Sequence, residues 1–259
     1  MNLILGDAIE EMAKLDAGSI DLTVTSPPYD NLRTYNGNND QWGEHVWKEA
    51  IEQLYKVTKD GGAVVWVVGD ATIKGSETGT SFKQALWAME CGFRLHDTMI
   101  WNKPNAMPLT HNRYDPCFEY MFVFSKNRPK TFNVIKEKTL HKGKIKKREL
   151  ETKMSEIKGH QSRCRDEHTT AKEYKYRKNI WSYMVGVEKD RSLNKHPAIF
   201  PEQLAHDHII SWSNEGDTVF DPFMGSGTTG KMAKQLGRNF IGIELDKEYF
   251  EIAKARLST

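Results

Sequence analysis

Seven short apolar runs recur along the chain: N-L-I-L (2–5), D-L-T-V-T-S (21–26), A-V-V-W-V-V-G (63–69), T-M-I-W-N-K (98–103), Y-M-F-V-F-S-K (120–126), D-T-V-F-D-P-F (217–223) and N-F-I-G-I-E-L-D (239–246). Several are apolar throughout instead of alternating, as strands covered on both faces are. Between many of them the apolar period changes to that of a helix. V-W-K-E-A-I-E-Q-L-Y-K-V groups Val46, Ala50, Leu54 and Val57 and is expected to stop at Gly61–Gly62. S-F-K-Q-A-L-W-A-M-E-C groups Phe82, Ala85, Leu86 and Met89 and stops at Gly92. P-E-Q-L-A-H-D-H-I-I-S-W opens at Pro201, a favoured first helical residue, and groups Leu204, Ala205, His208, Ile209 and Trp212. T-G-K-M-A-K-Q-L-G groups Met232, Ala233 and Leu236, and Asp246 is placed to cap the last helix.

Strands alternating with helices predict an α/β fold with a doubly wound, mostly parallel seven-stranded sheet. No helical pattern separates T-M-I-W-N-K from Y-M-F-V-F-S-K, so an antiparallel hairpin is expected there. Residues 127–195 break the rhythm: polar, Lys-rich and weakly periodic, they read as an insertion. The resulting division is 1–126 and 191–259 as two halves of one domain, with 127–190 set between them.

Composition sharpens that division. The 259-residue chain is 38% hydrophobic and 28% charged, with a net charge of +2. From Lys126 to Lys178 there are 18 Lys and Arg against 7 Asp and Glu, whereas the rest of the chain has 19 basic and 28 acidic residues. A basic module in an acidic body suits a polyanionic partner. No apolar run approaches the roughly 20 residues of a membrane span. The N-terminus lacks the basic flank of a signal peptide. Cys91, Cys117 and Cys164 have no metal-ligand spacing and read as reduced thiols of a cytoplasmic protein, with no metal expected.

Two stretches carry chemistry. D-P-F-M-G-S-G-T-T-G (221–230) ends a strand and opens a helix. Gly225 and Gly227 permit a tight turn and close backbone approach, and the helix start offers unpaired N–H groups. About twenty residues on, the next strand ends in Glu244, a position suited to a ribose diol. No Gly-Lys-Ser/Thr follows, so this is not a phosphate P-loop. The other stretch, T-S-P-P-Y (25–29), ends a strand in a hydroxyl, two prolines and an aromatic ring. The prolines fix backbone direction and leave carbonyls free to accept. Ser26 Oγ and the Pro27 carbonyl are then two rigidly placed hydrogen-bond acceptors, and Tyr29 presents an aromatic face beside them.

Together these two motifs resemble those of the S-adenosylmethionine-dependent DNA amino-methyltransferases, which methylate cytosine N4 or adenine N6. Catalytic motif first, basic block between and Gly-rich motif last is the circularly permuted order of that family's β group. The resemblance extends to G-D-A-I-E-E-M, K-D-G-G-A-V-V-W-V-V-G-D, W-N-K-P-N-A-M-P…R-Y-D-P-C-F-E-Y-M-F-V-F-S-K and K-H-P-A-I-F-P-E-Q-L. It implies a Rossmann-like methyltransferase fold with 127–190 as target-recognition insertion, and S-adenosylmethionine as cofactor. Catalysis falls to Ser26, Pro27, Pro28 and Tyr29: in such an enzyme the Ser26 hydroxyl and the Pro27 carbonyl accept the hydrogens of the exocyclic amine, which favours a pyramidal nitrogen with its lone pair outward, and Tyr29 stacks on the flipped base. Cofactor binding falls to Asp7, Ala8, His196, Asp221, Pro222, Phe223, Gly225, Ser226, Gly227, Thr228, Glu244 and Leu245. Double-stranded DNA is the implied partner, through Arg33, Tyr35, Lys142, Lys144, Lys146, Lys147 and Arg148. A homodimer and a cognate restriction enzyme are further partners such a protein can have, in a prokaryotic or phage setting. Ser at position 26, where adenine enzymes more often have Asp, favours cytosine N4, with adenine N6 the alternative. A non-catalytic nucleic-acid-binding protein of the same fold would not need both motifs intact. The related N-P-P-Y glutamine methyltransferases place their cofactor motif before the catalytic one.

Overall fold

The computed structural model describes residues 1–28, 42–106, 108, 112–139, 173–186 and 201–258. They fall into two compact units, one comprising Met1–Asn133 with Lys178–Thr259 and the other Val134–Arg177. In chain order the first contains β1 (Asn2–Leu5), α1 (Ala8–Ala13), β2 (Ile20–Thr25), α2 (Glu44–Val57), β3 (Thr58–Val68), the two-residue strands β4 (Thr72–Ile73) and β5 (Ser76–Glu77), α3 (Thr80–Glu90), β6 (Arg94–Asn102) and β7 (Phe118–Ser125). The second holds β8 (Lys136–Lys138) and β9 (Tyr174–Tyr176), paired antiparallel. The chain of the first unit then resumes with β10 (Ile180–Ser182), α4 (Glu202–Trp212), β11 (Thr218–Asp221), α5 (Thr228–Gln235), β12 (Asn239–Glu244) and α6 (Lys247–Ser258).

All seven expected strands form, within one eight-stranded sheet of order β1-β12-β11-β2-β3-β7-β6-β10. The eighth, β10, is three residues long and pairs parallel with β6. Its sequence, I-W-S, is too short to show a period, which is why it reads as part of the insertion. Only β7 runs against its neighbours, paired antiparallel with both β3 and β6. α1, α2 and α3 pack in sequence along the sheet, and so do α4, α5 and α6. On the α1–α3 side Met12, Trp47, Leu54, Trp66, Phe122, Phe124 and Phe220 form one buried cluster.

Two helices depart from expectation. α2 ends at Val57 instead of at Gly61–Gly62, and β3 begins at once. Thr58 closes the helix, its Oγ1 donating to the Leu54 carbonyl at 2.6 Å. Gly61, at φ +78°, makes a bend inside β3 whose N–H and carbonyl are taken by Lys126 and Lys130. In α3 the expected inner face is turned out: Phe82, Leu86 and Met89 are 51%, 60% and 47% exposed, whereas Ser81, Gln84, Ala85 and Ala88 are buried. Polar anchors outweigh apolar area here. Trp66 Nε1 donates to Gln84 Oε1 at 2.8 Å, and Asp70 Oδ1 accepts from the Ser81 N–H at 2.9 Å. α4 is as expected, apart from Pro201 standing just before its first turn. Its His208 is wholly buried against Trp181 and Met121. Burial lowers the imidazole to about 3, which makes it a neutral packing group and no base.

Candidate active site

The first five strands across the sheet matter most, because β1, β12, β11, β2 and β3 are mutually parallel and adjacent. Their carboxyl ends therefore share one edge, the place where open α/β sheets bind ligands. Residues distant in sequence meet there: Asp7 after β1, Glu244 at the end of β12, Asp221 at the end of β11 with Pro222 to Thr228 after it, and Ser26 to Pro28 after β2.

The turns after β1, β12 and β11 are each held by a carboxylate. Asp7 caps α1, accepting from the N–H groups of Ile9 (2.8 Å) and Glu10 (3.1 Å). Glu244 accepts from the Gly225 N–H on Oε2 (2.7 Å) and the Asp246 N–H on Oε1 (2.8 Å). The backbone of β12 serves both neighbours: the Met224 N–H donates to the Ile243 carbonyl and the Gly6 N–H to the Glu244 carbonyl. Burial raises the Glu244 carboxyl above its ordinary range, and these backbone donors oppose that shift. Asp246 caps α6 as expected, accepting from Glu248 and Tyr249.

The Gly-rich turn has the backbone its sequence implies. Gly225 and Gly227 sit at φ +53° and +80°, and a Cβ on Gly227 would come within 3.1 Å of Ala253. Gly227 stands before α5, whose first N–H groups have no intrahelical partner. Pro222, Gly225, Ser226, Gly227 and Thr228 are buried, and Leu245 is exposed. Phe223 is half-buried and meets the edges of Trp42 and Trp66.

Asp221 is 1% exposed. Its Oδ1 accepts from Thr25 Oγ1 (2.7 Å) and from the Phe223 N–H (3.1 Å), and the Thr229 hydroxyl bonds it as well. Thr229 Oγ1 also donates to the Val24 carbonyl at 3.1 Å. Burial pushes the Asp221 carboxyl up to about 7 despite those donors. Its position is inside the edge, tying the start of T-S-P-P-Y to the start of the Gly-rich turn.

Three of these partners escape sequence reasoning. Thr25 and Thr229 lie inside the motifs, where nothing local marks their bond to Asp221. Arg256 lies in the last helix, where it reads as an ordinary surface cation. It is buried instead, Nη1 donating to the Ser226 carbonyl and to Thr228 Oγ1 (both 3.1 Å) and Nη2 to Glu202 Oε1 (2.5 Å). Lys231 reaches the same Glu202 oxygen. The Gly-rich turn is thus braced from α4 and α6 as well.

Ser26 and Pro28 are half-buried and Pro27 is buried. Tyr29, Arg33, Tyr35, Lys142, Lys144, Lys146, Lys147, Arg148 and His196 lie outside the described residues. No cluster of metal-ligand residues occurs among the described ones.

This arrangement of strand ends defines a methyltransferase-type sheet edge, and similarity to known proteins agrees. The chain belongs to the DNA methylase family of N6- and N4-methyltransferases, whose model matches residues 20–255. It is 52% identical over 248 residues to orphan methyltransferase M.BamHII of Bacillus amyloliquefaciens, covering 92% of this chain and 89% of that one. It is 29% identical to the DNA adenine methyltransferase YhdJ of Escherichia coli, covering 98% and 82%. Among solved structures, the cytosine-N4-specific PvuII DNA methyltransferase superposes with a TM-score of 0.73 at 20% identity, covering 98% and 85%. The M1.HpyAVI–SAM complex does so at 0.61 and 25%, covering 99% of both.

Proposed function

We propose that this DNA amino-methyltransferase transfers a methyl group from S-adenosylmethionine to cytosine N4 of a base flipped out of duplex DNA. The observation that carries the reading is the sheet edge, which sets Ser26–Pro27 next to the Gly225–Thr228 turn, with Glu244 one strand farther. The residues fit the cofactor. A carboxylate offers about four lone-pair positions. Glu244 therefore stays fixed by two backbone N–H groups and can still accept from ribose hydroxyls. The α5 start suits the carboxylate of the methionine portion. Asp7 and Ala8, one strand beyond Glu244, border the adenine end. When bound, the cofactor supplies an electrophilic methyl on sulfur.

The chain's own residues then position and polarise. The target amine donates one hydrogen to Ser26 Oγ and the other to the Pro27 carbonyl. Both acceptors follow a buried strand, and Thr25 is bonded to Asp221, so their direction is set before substrate arrives. Preorganised acceptors cost no rearrangement as positive charge develops on the nitrogen, and the surplus proton of the methylated amine leaves along one of these hydrogen bonds to water. Tyr29 stacks on the base, His196 adds to the methionine end, and Arg33, Tyr35 and the 127–190 insertion contact DNA. Incubation of duplex DNA with methyl-labelled cofactor, followed by nucleoside mass spectrometry, tests the assignment. N4-methylcytosine is expected; N6-methyladenine would overturn the choice of base, and no methylated nucleoside would overturn the activity.

A further inference from the structure

The Val134–Arg177 unit holds a two-stranded ribbon whose faces are unlike. In it Lys136 stands opposite Tyr176, Glu137 opposite Lys175 and Lys138 opposite Tyr174. Successive residues of a strand point to opposite faces, and residues opposite one another share a face. Lys136, Lys138, Tyr174 and Tyr176 therefore lie on one face, and Glu137, Lys175 and Arg177 on the other. The second face binds its charges together: Glu137 meets Arg177 at 3.0 Å and Lys175 at 3.9 Å. The first face has no such pairing. Among the described residues no carboxylate pairs with Lys136 or Lys138, both lysines are exposed, and Tyr174 and Tyr176 are 45% and 67% exposed.

Stability does not account for that arrangement. A two-stranded ribbon is marginal on its own, and tyrosines packed beneath it would add apolar burial. Here they stand in water, each with a hydroxyl that both donates and accepts. Tyrosine is enriched where one surface meets another. Two unpaired ammonium groups beside them suit a polyanion that also has polar edges to contact. Duplex DNA has the right dimensions. Its major groove, about 12 Å wide, admits a two-stranded ribbon, whose strands lie about 4.8 Å apart. Two residues of strand advance about 6.8 Å, the length of two base-pair steps at about 3.4 Å each. Tyr174 and Tyr176 are thus spaced to meet base pairs two steps apart, each with a lysine across the ribbon.

We propose that this face enters the major groove and selects the sequence that is methylated, with the Tyr174 and Tyr176 hydroxyls and the Lys136 and Lys138 ammonium groups on base edges. Lysine finds acceptors there in guanine O6 and N7. The Glu137 face stays outside the groove. This inference rests on the reading of duplex DNA as substrate. It deepens that reading by naming side chains that choose the site, apart from the cations at 142–148 that hold DNA.

Sequencing of duplex DNA methylated by the wild-type protein gives the site. Wild type, Tyr174→Phe/Tyr176→Phe, Lys136→Gln/Lys138→Gln and the opposite-face variant Lys175→Gln are then titrated, at one salt concentration, against a duplex with that site and one with it scrambled. The ratio of the two affinities should fall about 10-fold or more in each double variant, as for lost base contacts, and stay near wild type in Lys175→Gln. Hydrogen exchange at the Thr139 and Arg177 N–H groups, which bond the Glu173 and Ile135 carbonyls, checks that the ribbon still forms. A second measurement needs no variant. Wild type is irradiated on the target duplex carrying 5-iodopyrimidines, whose halogen stands in the major groove. Cross-links are expected at Tyr174 or Tyr176. Equal weakening on both duplexes would make the face a phosphate contact only and overturn the proposal, as would cross-links confined to other residues. Absence of wild-type methylation would instead overturn the reading on which the proposal rests.

Discussion

The two halves of one sheet edge are built differently. On the β1-β12-β11 side every turn is closed by a carboxylate bonded to backbone N–H groups two to nineteen residues away. On the β2-β3-β7-β6 side Asp70 takes both the N–H and the hydroxyl of Ser81, and Lys103 pairs with Glu119 through side chains alone, around a Ser-Pro-Pro backbone. The first half suits a ligand that is the same in every turnover, since its shape can be fixed in advance. The second must admit a base that comes from DNA. A buried bridge from Thr25 to Asp221 joins them, so the two reacting partners are registered through the strand ends.

Breaking the base half at its reacting point should have the largest effect. Ser26→Ala removes one acceptor for the target amine, and single-turnover methyl transfer should fall on the order of a hundredfold or more. Cofactor affinity should stay near wild type, because Ser26 is separated from Glu244 by β11. A wild-type transfer rate measured by rapid quench, with cofactor and DNA saturating, would remove Ser26 from the chemistry.

The mirror-image change falls on the cofactor half. Glu244→Ala frees the Gly225 and Asp246 N–H groups and deletes the acceptor for ribose. Losing hydrogen bonds to a charged acceptor at about 1.5–3 kcal/mol each implies at least 10-fold weaker cofactor binding by calorimetry. DNA affinity should change little. If instead both affinities fell together, the two halves would not be separable.

A smaller effect is expected from the basic insertion. Charge reversal at Lys144, Lys146 and Lys147 should weaken duplex binding and flatten its salt dependence. Each phosphate that the protein no longer neutralises lowers the slope of log K against log salt by about 0.9. Cofactor binding is the control. An unchanged slope in fluorescence anisotropy would make the insertion a solvated segment with no part in holding DNA.

What the sequence conveyed follows from the same contrast. β2, β3 and β7 were legible because they are mostly buried along their length, and the Gly-rich turn because its φ values demand glycine at 225 and 227. Asp246 was legible as a cap because its partners lie two and three residues on. The outward face of α3 was not, because Asp70 and Trp66, which turn the helix, lie before it at no helical spacing. Arg256 and Thr25 were illegible for the same reason: their partners are 28 to 196 residues away. Long-range polar pairs leave no periodic trace.

The bridge itself gives the most specific effect, one of stability and not of rate or affinity. Asp221 has its carboxyl raised from 3.8 to about 7 by burial, so the folded state holds a proton that the unfolded chain releases. The sign follows: the folded protein binds more protons at this group between those values, so the group's contribution to stability is greatest below about pH 4, declines as pH rises towards 7, and is flat beyond. The shift sets an upper limit of about 4 kcal/mol for the whole decline. Asp221→Asn keeps an Oδ1 for Thr25 and Phe223 and cannot ionise. Its contribution to stability should therefore not change across that window, and its denaturation midpoint should gain on wild type as pH rises from 5 to 8. Urea titrations of both proteins at each pH isolate the effect, because every other carboxylate is common to the two. Parallel pH profiles would mean that Asp221 is ionised in the folded protein and that the bridge is a carboxylate at all working pH values.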